Sequence, residues 1–141
     1  MLKKKANAFT LLEILVVISI IGILIALGTA AYATTQKKGR DAKRKADIKA
    51  LQNGFEQFRA KTNSYPQTIG EAADLSIFPA GLPEDPKSQG EYVYTYNLNS
   101  DAFCLCARLE SSAGNASALP AESSAACSYG TGDYYCLSNL Q

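Results

Sequence analysis

The hydrophobic and polar positions change their period along the chain. From Ile14 to Ala33 no charged residue occurs, and eleven of these twenty positions are Leu, Ile or Val. Twenty residues at about 1.5 Å each give a helix of roughly 30 Å, the thickness of a bilayer's hydrocarbon core. No proline follows until Pro66, and Ile48, Leu51, Phe55 and Phe58 recur at helical spacing, with Ala42, Ala46 and Ala50 on a second, small face. The pattern predicts one helix from about Phe9 to Thr62. Its first half is apolar all round, and its second half carries one stripe that must dock on a compact head. Gly28, Gly39 and Gly54 are the expected places for it to bend or melt. Asn63-Ser64-Tyr65-Pro66 ends it, because the residue before a proline is biased away from the α region.

Beyond Pro66 the helical period is lost. Residues 67–90 read as an irregular connection with Pro79, Pro83 and Pro86. Tyr92, Tyr94, Tyr96 and Leu98 then alternate with Val93, Thr95 and Asn97, Asn99-Ser100-Asp101 makes a turn, and Phe103, Leu105, Ala107 and Leu109 alternate with Cys104, Cys106 and Arg108. That is a hairpin pattern, and one face of it should cover the Ile48–Phe58 stripe. Residues 111–126 are small and polar and read as a surface loop, which includes the glycosylation sequon Asn115-Ala116-Ser117. A last short strand is expected at Tyr134–Leu137. The fold class is α+β.

Charge is segregated, although the chain carries a formal net charge of only +1. Residues 1–8 carry +3, residues 37–49 carry seven basic and two acidic side chains, and residues 50–141 carry four basic and ten acidic ones. The run Lys37–Lys49 (KKGRDAKRKADIK) offers a DNA-binding patch as one reading. It has no interleaved aromatics, so a solvated collar outside a membrane is preferred. Histidine is absent, as are a Gly-rich phosphate loop and a Gly-x-Ser-x-Gly elbow, so no catalytic constellation is visible and the chain is not read as an enzyme.

Cys104, Cys106, Cys127 and Cys136 all lie in the last third of the chain. Two residues apart on a strand, Cys104 and Cys106 share a face but are poorly placed to bridge each other. Each is therefore expected to join Cys127 or Cys136, in one of two connectivities. C-x-C with a distant C-x₈-C is not a usual zinc spacing, so disulfides and an oxidising exterior are expected, with no metal and no cofactor.

One residue disagrees with its surroundings. Glu13 sits inside the apolar segment that begins at Phe9, and an acid at membrane depth costs on the order of 2.5–3.5 kcal/mol on insertion scales. Ala8-Phe9-Thr10-Leu11-Leu12-Glu13 resembles the processing site of type IV prepilins and pseudopilins. The later Ile21-Gly22-Ile23-Leu24 and Ala31-Tyr32 are similar to the family's helix, and Leu82-Pro83-Glu84-Asp85-Pro86 before Tyr92-Val93-Tyr94 is similar to its loop-to-sheet transition. The family usually has Gly where this chain has Ala8, and many members have Pro where it has Ala30.

The resemblance implies a pilin-like fold. It divides the chain into a leader (1–8), a transmembrane and filament-core helix (9–35), an amphipathic continuation (36–62) and a globular head (63–141). A prepilin peptidase would cut between Ala8 and Phe9, and the new amine of Phe9 would be methylated. Glu13 would pair with that amine on a neighbouring subunit, in a homo-oligomeric filament raised on an inner-membrane assembly platform. The subunit would begin as a single-pass protein of the cytoplasmic membrane with its head outside, and end in an extracellular filament. Counting Lys and Arg near the helix ends would put residues 37 onward in the cytoplasm, against both the resemblance and the cysteines. Some secretion pseudopilins carry a calcium site near the C-terminus, but after Glu122 this chain has only Asp133, so none is expected. The alternatives are a minor pilin whose head binds DNA or a surface, and a secreted or anchored domain outside any filament.

Overall fold

The computed structural model describes residues 9–73, 76–111, 114–120 and 125–140, the side chains at 30 and 31 aside. Helix α1 spans Leu11–Thr62. Thr10 starts it, since the Glu13 N–H donates to both its hydroxyl and its carbonyl at 3.2 Å. Asn63 stops it by turning left-handed (φ 63°), with its N–H on the Arg59 carbonyl at 2.8 Å. Helix continues through Gly28, Gly39 and Gly54, where bending or melting was expected. The chain divides into two units, Met1–Gln36 and Lys37–Gln141, each taken by itself below.

The second unit holds an antiparallel sheet in the order β1 (Thr95–Leu98), β2 (Phe103–Arg108), β3 (Tyr134–Ser138). The β1–β2 turn is set by Asn99, whose side-chain oxygen accepts from the Asp101 and Ala102 N–H groups. Because successive side chains alternate, β2 serves two cores. Phe103, Leu105 and Ala107 meet Ile48, Leu51 and Phe55 of α1, together with Tyr65. Phe103 stands edge-on to Phe55 and Tyr65, with centroids 5.3 and 4.8 Å apart. Phe58, expected in this stripe, is only half-buried and outside the cluster. Cys104 and Cys106 face the other way, against Cys136 and Ala116. Gly54 lets the Phe78 ring lie directly on the helix, where a Cβ would collide with it.

The observed elements differ from the sequence pattern in three places. A short helix α2 (Ile69–Ala72) lies in the stretch expected to be irregular, with Thr68 accepting from the Glu71 N–H. β1 begins at Thr95 rather than Tyr92. The preceding tyrosines are taken by side chains instead of a ladder: the Tyr94 hydroxyl donates to Asp47 at 2.7 Å, and the Tyr92 ring faces Lys87 and Arg44 at 4.1 and 4.8 Å. Finally, the segment at 114–116 is not a free loop. Gly114 and Ala116 bridge to Gly132 and Tyr134 along the outer edge of β3. The Asn115 amide continues that edge, accepting from the Cys136 N–H at 2.7 Å and donating to its carbonyl at 2.8 Å. The sequon asparagine is thus half-buried, with its amide engaged by the Cys136 backbone.

Candidate assembly site

In the first unit the site is the helix surface. Along Leu11–Leu27 every large apolar side chain is exposed, from 47% at Val16 to 83% at Leu11. Uncovered, each such side chain forgoes about 1.5–3 kcal/mol of burial. The polar side chains in the run satisfy themselves: the Ser19 hydroxyl donates to the Leu15 carbonyl at 2.8 Å, and the Thr29 hydroxyl to the Ala26 carbonyl at 3.1 Å. That leaves Glu13, exposed in the first helical turn, as the one charged group of the apolar segment. Phe9 precedes the helix, four residues or about one turn from Glu13, and is 76% exposed. Ala8 lies outside the described residues.

In the second unit a buried ion cluster centres on Arg44, whose side chain is fully buried. Its Nε and Nη2 donate to the two oxygens of Asp85 at 2.7 and 3.0 Å. Its Nη1 donates to Asp41 and Glu110, each at 2.8 Å. Arg40 adds a two-pronged contact to Glu110, both bonds at 2.7 Å. Asp41 in turn accepts from the Glu110 and Ser111 N–H groups and the Ser111 hydroxyl. The cluster thus ties α1 to the loop at Asp85 and to the chain leaving β2. Burial alone would raise the carboxyl pKa values. For Asp85, the Arg44 fork and the Lys87 N–H outweigh it, and for Asp41 the Ser111 and Glu110 bonds and Arg44 do, so both are lowered. Arg40 first, and then Arg44 against some burial, hold Glu110 down at about 2.

The sequence pattern assigns no ionic role to any of these five residues, Asp85 entering it only within the Leu82–Pro86 string, and the solvated-collar reading of Lys37–Lys49 is corrected here for Arg40, Asp41 and Arg44. Arg44 and Asp41 are buried, and Arg40 is engaged with Glu110. The signal was present: positions 41, 44, 48, 51 and 55 continue one helical stripe, so Arg44 falls on the docking face.

Cys104 joins Cys127 and Cys106 joins Cys136, with Cα atoms 5.3 and 4.2 Å apart. The loops close over 23 and 30 residues, for which the chain-entropy model gives roughly 3.5 kcal/mol each. The sulfurs of Cys104, Cys106 and Cys136 lie within 4.8 Å of one another, but all three are in disulfides and present no thiolate to a metal.

A family model, the prokaryotic N-terminal methylation motif, matches residues 3–29. The type II secretion system core protein G of Aeromonas hydrophila is 35% identical over 103 residues, 73% of this chain and 71% of that protein. The proteins of the same name from Escherichia coli K12 and Vibrio cholerae are 39% identical over 99 residues (70% of this chain, 68% of theirs) and 34% identical over 100 (71% and 67%). No solved structure matches. An apolar N-terminal helix opening on that motif, a small antiparallel sheet beyond it and relatives at this level over most of the chain lead to one conclusion: the chain belongs to the family of type II secretion system core protein G, the pseudopilins of the type IV pilin-like group.

Proposed function

We propose that this chain is a structural subunit of the pilus-like filament of a type II secretion system, and that its first helix is the part that polymerises. The observation that carries this reading is an apolar helix of membrane-spanning length whose large side chains are all exposed, with one acid a turn from Phe9. In a bilayer lipid covers that surface. In a filament the helices of neighbouring subunits cover it, and their association rests on packing and on polar contacts between helices. Residues 1–8 serve as a leader, removed by a prepilin peptidase between Ala8 and Phe9. The new amine keeps its positive charge when methylated. Glu13 pairs with the Phe9 amine of the next subunit, which sets the axial register, since an unpaired carboxylate among apolar helices is expensive and a paired one much less so. Residues 9–35 form the anchor and then the filament core, 36–62 the amphipathic continuation, and 63–141 the head, held on the outer side of the cytoplasmic membrane. The chemistry done on the chain belongs to the peptidase, and growth of the filament to an inner-membrane platform.

Glu13→Gln isolates the charge. Glutamine serves as well as glutamate at the third position of a capping box, so the Thr10 start of the helix is retained. Membrane insertion should be unchanged, while cross-linked multimers and sheared filaments fall by tenfold or more. Wild-type filament yield from this variant would refute the pairing. Intact mass from the native host tests processing separately: the expected chain begins at Phe9, one methyl heavier and four hydrogens lighter than the reduced sequence.

A further inference from the structure

Resting on the anchored state proposed above, we infer that Lys37, Lys38 and Lys43 form a binding collar for anionic phospholipid headgroups at the end of the apolar helix. The basis is how the run 37–49 divides between solvent and head. Of its two acids, Asp41 is paired with Arg44 and Ser111, whereas Asp47 is half-buried and keeps its charge while accepting from the Tyr94 hydroxyl. Both arginines are spent on Glu110, Asp41 and Asp85. Lys37, Lys38 and Lys43 are exposed and have no ion-pair partner among the described residues. On the run's solvent side three exposed lysines therefore outnumber one half-buried carboxylate, Asp47, although the sequence mixes both signs more evenly.

The ligand follows from the spacing. The apolar run ends at Ala33. At 1.5 Å per residue Lys37 and Lys38 follow it by about 6 and 7.5 Å, within a headgroup layer of roughly 5–8 Å on each side of the hydrocarbon. Lys43 follows by about 15 Å, within one Debye length of that layer, and Lys49 by about 24 Å, beyond it. The lysines are not confined to one helix face, which suits a ring of phosphates around a helix better than one flat partner. A lysine at an anionic surface contributes a factor of about five in partitioning. The collar would hold the unassembled subunit at a fixed depth, and it would have to be given up on entry into a filament.

The test is native mass spectrometry of the full chain extracted in mild detergent with equimolar phosphatidylglycerol and phosphatidylcholine. Phosphatidylglycerol adducts should predominate by fivefold or more, and K37A/K38A should bring the two lipids to near parity. K43A should lower the ratio about twofold, while K49A, whose ammonium already donates to Gln52, should leave it unchanged. Equal retention of both lipids by the unaltered chain would overturn the inference, as would an equal loss in K49A. Cross-links from these lysines to acids of a second copy, without lipid preference, would overturn it in favour of a subunit contact. Recovery of the protein in carbonate-washed membranes is scored alongside: its failure would refute anchoring itself, whereas its success with equal lipid retention refutes only the collar.

Discussion

Replacing Arg44 tests the head's construction most directly. Its guanidinium is fully buried and makes four hydrogen bonds of 2.7–3.0 Å to three carboxylates. Arg44→Ala does not orphan them equally. Glu110 keeps Arg40, and Asp41 keeps the Ser111 and Glu110 donors. Asp85 keeps backbone N–H donors from Lys87 and Ser88 but loses the cation it pairs with, so the loop around it is the part released. Breaking a buried pair by removing one partner costs about 3–5 kcal/mol, and for a head of this size 3 kcal/mol corresponds to a Tm fall of roughly 10–20 °C. Arg44→Met separates charge from packing, since it refills most of the volume and still takes the guanidinium from all three carboxylates. It should lose nearly as much as Arg44→Ala. Arg44→Lys restores the charge without the fork and should fall between. The assay is guanidinium denaturation of the full chain in mild detergent, followed by tyrosine near-UV dichroism. If Ala and Met variants both stay within about 1 kcal/mol of the parent, the cluster behaves as a surface ion pair and the reasoning is refuted.

Acid should unfold the head through the same groups. Asp41, Asp85 and Glu110 all have folded pKa values below their ordinary ones, so the stability they confer is present above the ordinary carboxylate range and is lost as pH falls toward about 2, where Glu110 titrates. The Tm should drop steadily between about pH 5 and pH 2, and Glu110→Gln should make that drop shallower; parallel curves would show that Glu110 is not the group involved. The two glycines of α1 within the head unit should respond oppositely to alanine. Gly39 has open space and should gain up to about 1 kcal/mol from helix propensity, whereas Gly54→Ala drives a methyl into the Phe78 ring and should lose about 1 kcal/mol or more, as read from the same denaturation curves. Equal shifts at the two positions would mean that the ring yields freely.

The elements legible in the sequence were those set by a local period. The helix to Thr62, the strand from Phe103 and the Asn99 turn each follow from spacing or from one side chain's own hydrogen bonds. What stayed hidden depends on partners far away in sequence. Arg44 meets Asp85 across 41 residues and Glu110 across 66, and no local pattern announces either. The shortened β1 has the same origin, because Tyr92 and Tyr94 are drawn to the helix by Arg44 and Asp47 rather than into a ladder. The sequon at Asn115 is visible because it is a local string, while the residue's role as a pseudo-backbone partner for Cys136 exists only once β3 lies beside it. Four cysteines left two connectivities open, and the register Cys106↔Cys136 is what distinguishes them.

The basic run shows why counting charge misled where periodicity would not have. Seven bases in thirteen residues look like one feature, yet Arg and Lys divide by position and by chemistry. Position 44 falls on the stripe that continues through Ile48, Leu51 and Phe55, and position 40 lies one turn before it. Arginine suits such places, because a planar fork can satisfy several carboxylates at once while its charge is withdrawn from water. Lysine is a compact and strongly hydrated charge on a flexible stem, costly to bury and effective at a wet surface. Exchanging the types at the buried position is therefore not neutral. A lysine at 44 cannot fork to Asp85 and still reach Glu110 and Asp41. An arginine at 37 or 38 would keep the charge that the collar requires. Arg44→Lys should thus weaken the head without altering lipid preference, and Lys37→Ala with Lys38→Ala should do the reverse. That reciprocity is what a run divided between two tasks requires, and a single solvated collar would not show the loss of head stability at Arg44.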